Sequence, residues 1–143
     1  MKFLFSIFIL LSASLHAAQL TEQEQVVAIT ILAEARGEGQ DGMGAVAAVI
    51  SQRSVEKNKT AKNICLEKYQ FSCWNNKKIN QLTYLLKLPQ AEFAIYLAKN
   101  IDNIDRSKVG YANHYYASYI KPPYWAKGKT LVSKIGKHLF FKL

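Results

Sequence analysis

Acidic residues, histidine, proline and cysteine are all scarce in this sequence. Ten Asp and Glu stand against nineteen Lys and Arg, and there are three histidines, three prolines and two cysteines. Each shortage excludes something. Cys65 and Cys73 have no histidine near them, so they make a poor zinc signature. No two histidines stand at i,i+4, and the sequence carries no HExxH motif, G-x-S-x-G elbow, Walker loop or Rossmann glycine set. No stretch reaches the roughly 20 apolar residues that a membrane-spanning helix needs. The basic residues are scattered and form no dense block, which argues against nucleic acid as a partner. No internal repeat, low-complexity tract or Pro/Gly-rich linker divides the chain, and its length suits one domain.

What is present begins with the N-terminus. Lys2 gives a positive start, Phe3 to Leu15 is apolar apart from three serines, and Ala17-Ala18 follows. That order predicts a secretory signal peptide over 1–18, cut after Ala17 or Ala18; the alternative is an uncleaved anchor. Removing 18 of the 143 residues leaves a domain at 19–143. Exported and basic, with a formal charge of +9 before cleavage, it has anionic envelope polymers within reach: teichoic acids, lipopolysaccharide, or the peptide carboxylates of peptidoglycan. In an oxidising compartment an even cysteine pair points to a Cys65–Cys73 disulfide, worth about 2–3 kcal/mol at best for so short a loop. The other reading is two buried thiols.

Thr21 followed by Glu24 is a capping box and predicts the start of a helix. Val26 to Ala33 is almost wholly apolar, so this helix should be buried on most of its surface, and Gly37 should stop it. A second helix is expected from Asp41 to Lys57, with small residues that let a neighbour approach closely. Asn58 to Lys77 reads as irregular. Two further helices are expected over 78–88 and 90–100, separated by Pro89. The aromatic tail from Asp102 has an extended bend at Pro122-Pro123 and room for a short strand or hairpin. The expected class is mainly α, with long loops.

Glu34 lies at the end of the apolar helix. A carboxyl there is costly to ionise, which favours the protonated form that a glycosidic oxygen needs from a general acid. The bland alternative is a glutamate paired with Arg36 or facing solvent. Glu38 would lie about 6 Å along if the helix continued, which would suggest a two-carboxylate hydrolase. Gly37 interrupts it, so Glu38 is expected to cap or to form a salt bridge. Tyr69 to Asn75 offers aromatic rings, amides and a hydroxyl, the parts that sugar sites use; they could equally fill a core. Asn113-His114-Tyr115-Tyr116, Trp125 and His138 form a third set, with a metal site on the histidines as a weak alternative.

Taken in order, these pieces resemble one family. Ile31 to Glu38 followed by Gly44 to Arg53 resembles the opening motif of the SleB-type cell-wall hydrolases, the spore cortex-lytic enzymes. Gln70 to Trp74 resembles their second motif, and Asn113-His114-Tyr115, Pro123 to Trp125 and Ile135 to Phe140 resemble their C-terminal motifs. The resemblance implies a lysozyme-like, lytic-transglycosylase-like single domain acting on peptidoglycan glycan strands. It puts the catalytic glutamate at Glu34, with substrate-binding roles for Gln70, Phe71, Ser72, His114, Tyr115 and Trp125. No metal or other cofactor is expected; the signal, the small size and the cysteine pair suit a monomer in the periplasm or at the cell wall, or a phage lysin that uses host export, with no stable membrane insertion after signal cleavage. Relatives act as lytic transglycosylases, in which one carboxylic acid protonates the leaving oxygen and then takes a proton from the muramic C6 hydroxyl. The spore enzymes also carry a peptidoglycan-binding repeat domain for which this chain has no room, and Gln52 stands where many relatives have Asn. The competing expectations are a metal-dependent amidase using His114 and His138, and a non-catalytic wall-binding protein.

Overall fold

Thr21 starts the first helix, α1 (Glu22–Ala35), through the expected capping box. Its hydroxyl accepts from Glu24 N at 3.2 Å while the Glu24 carboxylate accepts from Thr21 N at 2.8 Å. The computed structural model describes residues 19–143, so the expected signal segment 1–18 lies outside the described residues. Every residue from Val26 to Leu32 is buried. A helix apolar on all sides must be enclosed, and α1 is: α2 (Gly39–Lys57), α3 (Ala61–Leu66) and α4 (Ala91–Lys99) all pack on it.

Gly37 falls in a single 3₁₀ turn, Arg36–Glu38, that ends α1 and leads into α2 two residues before the expected start. The small residues of α2 serve two neighbours. Ala47 packs in the α1 core, while Ala45 and Ala48 pack with Val49, Val109 and Phe140 in a second cluster beneath the sheet. Helix α2 is thus the layer between α1 and the strands.

Two stretches differ from expectation. The supposed irregular segment contains α3, capped by Thr60; six residues are too few to display a helical period. The supposed helix over 78–88 is instead a pair of 3₁₀ segments, Ile79–Gln81 and Thr83–Lys87. Ile79, Leu82, Leu85 and Leu88 recur every three residues, the 3₁₀ spacing. The bonds follow it: Leu82 N to Ile79 O, Leu85 N to Leu82 O, Leu88 N to Leu85 O.

The aromatic tail forms a three-stranded antiparallel sheet of β1 (His114–Ala117), β2 (Leu131–Ile135) and β3 (His138–Phe141), in the order β1-β3-β2. Pro123 has the extended backbone expected of it. The turn between β2 and β3 is fastened to the helices by Glu38, whose carboxylate accepts from Lys137 N at 2.9 Å. A Cβ on Gly136 would collide with that carboxylate, and one on Gly42 would collide with the Glu38 side chain. Glu38 is therefore a clamp on the hairpin turn: it stands at the N-cap position of α2, but among the described residues its side chain makes neither a helix-capping bond nor the expected salt bridge.

One hydrogen bond fixes the 70–75 segment on α1. Trp74 Nε1 donates to Thr30 Oγ1 at 2.9 Å, and Thr30 donates in turn to Val26 O at 2.7 Å, all in the core. Replacing Thr30 by Val leaves the indole N–H buried without a partner, a cost of about 1–3 kcal/mol. Urea unfolding of Thr30→Val should show a loss of that size at unchanged denaturant slope.

Candidate active site

Glu34 is one helical turn beyond Thr30, so both side chains leave the same face of α1. Its alternative partner, Arg36, is engaged elsewhere: Arg36 Nη1 donates to Leu32 O at 3.2 Å. Glu34 is instead met by the sheet. Tyr115 Oη donates to Glu34 Oε2 at 2.6 Å, across 81 residues of sequence. Burial pushes the Tyr115 phenol well above its ordinary value, and the adjacent Glu34 adds to the push. Tyr115 thus remains a donor throughout the physiological range. No protein group holds the other oxygen, Oε1, among the described residues.

The surroundings of Tyr115 are built from β3. His138 lies edge-on to its ring at 5.1 Å between centroids and Phe140 at 5.5 Å. His138 is buried, and its Nδ1 has no hydrogen-bond partner among the described residues. Beneath, Arg53 lies over the ring of Phe71 at 5.4 Å and donates from Nε to Asn113 O at 2.6 Å. Burial lowers its guanidinium, while Tyr115 and Glu34 act in the opposite sense. Arg53 thus joins α2, the 70–75 segment and the start of β1.

The predicted site residues divide into two groups. Tyr115 meets Glu34 directly. Phe71 is buried under Arg53, while Gln70 and Ser72 are exposed on a segment bracketed by Tyr69 and Asn76, both with left-handed backbone. Trp74 anchors that segment to α1 as described. His114 and Trp125, however, belong elsewhere. Side chains alternate along a strand, so His114 and Tyr116 leave β1 on the face opposite Tyr115. His114 contacts Trp125 at 5.0 Å, and Trp125 meets Tyr116 and Phe141 edge-on. His114 and His138 also lie at opposite ends of the paired strands, since their partners are Phe141 and Ala117 respectively. They do not converge, and the amidase alternative loses its ligand pair.

Asn113 is a structural hub. Its side chain donates to Glu56 Oε2 and Leu143 O and accepts from Leu143 N, and its oxygen meets His114 Nδ1. Sequence reasoning did not single out Thr30 or Arg53. A lone polar residue within a buried apolar run was the available signal for Thr30; a buried arginine has no such signature.

The expected disulfide is not formed: Cys65 and Cys73 are free thiols. Cys65 is buried in the core and Cys73 packs partly buried against it. Burial pushes both thiols up to about 12, Cys73 with a further contribution from nearby Glu34. A cavity of about 770 Å³ lies past Glu38, lined among others by Asp41, Tyr96 and Lys134. Glu34 does not line it.

Residues 37–141 match the family described as Cell Wall Hydrolase, well over half of the chain. The chain belongs to that family. It is an enzyme acting on the cell wall. The matched region begins three residues after Glu34, whereas structural similarity extends further. The catalytic domain of the germination-specific lytic transglycosylase SleB from Bacillus anthracis is 27% identical, with a TM-score of 0.68 over 88% of this chain and 98% of that one. The catalytic domain of the Bacillus cereus SleB protein is 26% identical, with a TM-score of 0.66 over 87% and 94%. No curated protein sequence matches the hydrolase significantly. The mainly α fold with one small sheet agrees with the sequence expectation.

Thiol chemistry checks the cysteine assignment. Native protein should label negligibly at neutral pH, because little thiolate exists and Cys65 is buried. Both cysteines should label after denaturation without reductant, read by intact mass; failure to label would restore the disulfide.

Proposed function

We propose that this protein is an exported peptidoglycan lytic transglycosylase whose catalytic domain is 19–143 and whose acid and base is Glu34. The observation that carries the reading is the 2.6 Å bond from Tyr115 Oη to Glu34 Oε2. It turns the carboxyl so that Oε1 is the oxygen available for proton transfer. Geometry of this kind precedes efficient general acid catalysis.

The steps follow from one carboxylic acid. Glu34 Oε1–H gives its proton to the oxygen joining N-acetylmuramic acid to N-acetylglucosamine. The C1–O bond breaks, the leaving sugar departs as an alcohol, and positive charge spreads over C1 and the ring oxygen. The Glu34 carboxylate then removes the proton from the C6 hydroxyl of the same muramic residue. O6 closes on C1 to give a 1,6-anhydro ring, and Glu34 is again protonated. No water, cofactor or second carboxylate is consumed. This suits a site where Glu38 is held by Lys137 N and packed against Gly42 and Gly136. It also agrees with the activity named for the Bacillus anthracis relative.

In this reading Gln70 and Ser72 contact sugar hydroxyl and acetamido groups. Tyr115 keeps Glu34 oriented and loses little by remaining a phenol throughout. The leader at 1–18 delivers the protein to the periplasm or wall, where it acts as a monomer. Among the described residues no helix is long and apolar enough to cross a membrane.

Purified peptidoglycan treated with the Glu34→Gln protein should release no fragments, whereas the parent should release fragments ending in 1,6-anhydro-muramic acid by mass spectrometry. Hydrated reducing ends from the parent would overturn transglycosylation. Tyr115→Phe should keep its fold and lower kcat by about 10- to 100-fold, the range for losing a group that supports acid–base catalysis, with KM little changed.

A further inference from the structure

The acids of this sequence are confined to one part of it. All ten lie at or before Asp105, while residues 106–143 hold eight Lys and Arg and no Asp or Glu. That cationic third builds the sheet, and the face turned away from Glu34 carries a recess of its own. A cavity of about 720 Å³ is lined by Tyr116, Lys121, Tyr124, Lys127, Lys129 and Phe141, with Pro122, Pro123 and Ala126. Tyr116 and Phe141 stack at 5.6 Å with their planes 12° apart, and Trp125 braces both edge-on. Tyr124 is 93% exposed, so one wall is an aromatic ring standing in solvent.

We infer that this recess is a second carbohydrate-binding site, which holds a neighbouring strand of peptidoglycan through its sugar rings and stem-peptide carboxylates while Glu34 cuts another. The inference rests on peptidoglycan being the substrate. Three features select that occupant. Aromatic faces suit the apolar side of a pyranose, and the three lysines supply charge for carboxylates with no acid in the lining to oppose them. The recess is concave, whereas docking on a lipid surface uses projecting apolar groups. It contains no arginine, the residue favoured where phosphate is gripped by two parallel bonds. Strand alternation puts this face opposite Tyr115, so a strand here leaves the Glu34 side free. Two weak contacts to one meshwork raise occupancy beyond either alone.

The test uses the Glu34→Gln protein, which binds without cutting, and measures co-sedimentation with purified sacculi. Changing Lys121, Lys127 and Lys129 together to Glu should weaken pelleting about tenfold at low salt, the sum expected of three exposed charge contacts. Changing the exposed Lys77, Lys87 and Lys99 to Glu alters net charge equally and should leave pelleting unchanged. Sacculi stripped of stem peptides by an amidase should bind the parent as weakly as intact sacculi bind the recess variant. With Glu34 restored, the recess variant should cleave short soluble glycan chains at the parent rate. Equal losses from both lysine sets would overturn the inference, as would unchanged pelleting of the recess variant. So would a dependence on phosphate polymers removed by hydrofluoric acid, or tighter binding to phosphatidylglycerol vesicles than to sacculi. A parent that pellets through the recess but releases no anhydro fragments would sink the proposed reaction and leave the recess standing.

Discussion

Beyond its first turn helix α1 is packed among its neighbours, and that part carries two polar side chains, the buried Thr30 and the half-buried Glu34, that the packing has to satisfy. The rest of the molecule is arranged around those two demands. Thr30 returns a hydrogen bond to Val26 O and accepts one from Trp74, which fixes the 70–75 segment against the helix. Glu34, one turn later, receives Tyr115 from the sheet. A buried polar group left without a partner costs about 1–3 kcal/mol, roughly twice what a satisfied one contributes. The same accounting that stabilises the core therefore determines what stands next to the Glu34 carboxyl.

Connections made by polar groups also explain how a thin sheet of three short strands stays seated on helices. Arg53 reaches from α2 to Asn113 O and covers Phe71. Asn113 ties the start of β1 to Glu56 and to the backbone of Leu143. Glu38 holds the β2–β3 turn. These three residues touch both the helical layer and the strands, and each lies within motifs by which the sequence resembles its family or beside the glutamate itself.

Local signals were read well from the sequence, and long-range ones poorly. The capping box at Thr21 and Glu24, the apolar run of α1 and the stop near Gly37 all depend on neighbours within a few residues, and each has a known chemical form. The 78–88 segment was misread because a three-residue apolar spacing lies close to the helical 3.6, and only the packed environment of Leu82 and Leu85 decides between them. The cysteine pair differs from expectation because composition says nothing of where Sγ atoms point. For the site, the family resemblance brought Glu34 and Tyr115 forward together. It grouped His114 and Trp125 with them, because adjacent letters in a motif do not reveal that adjacent strand residues face opposite ways.

The clamp at Glu38 has a mechanical consequence. Glu34 is carried by a helix and Tyr115 by a strand, and in many enzymes such a division permits the two halves of a site to part and close around the substrate. Here the corner directly after the helix is tied to the hairpin turn, with Gly42 leaving room for the stem of Glu38 and Gly136 for its carboxylate. The acid and its phenol are thereby mounted on one rigid frame. If Glu34 is the proposed acid, a glycan strand would meet a proton donor already aimed, and the adaptation binding requires would come from the sugar and from the exposed rim of the 70–75 segment.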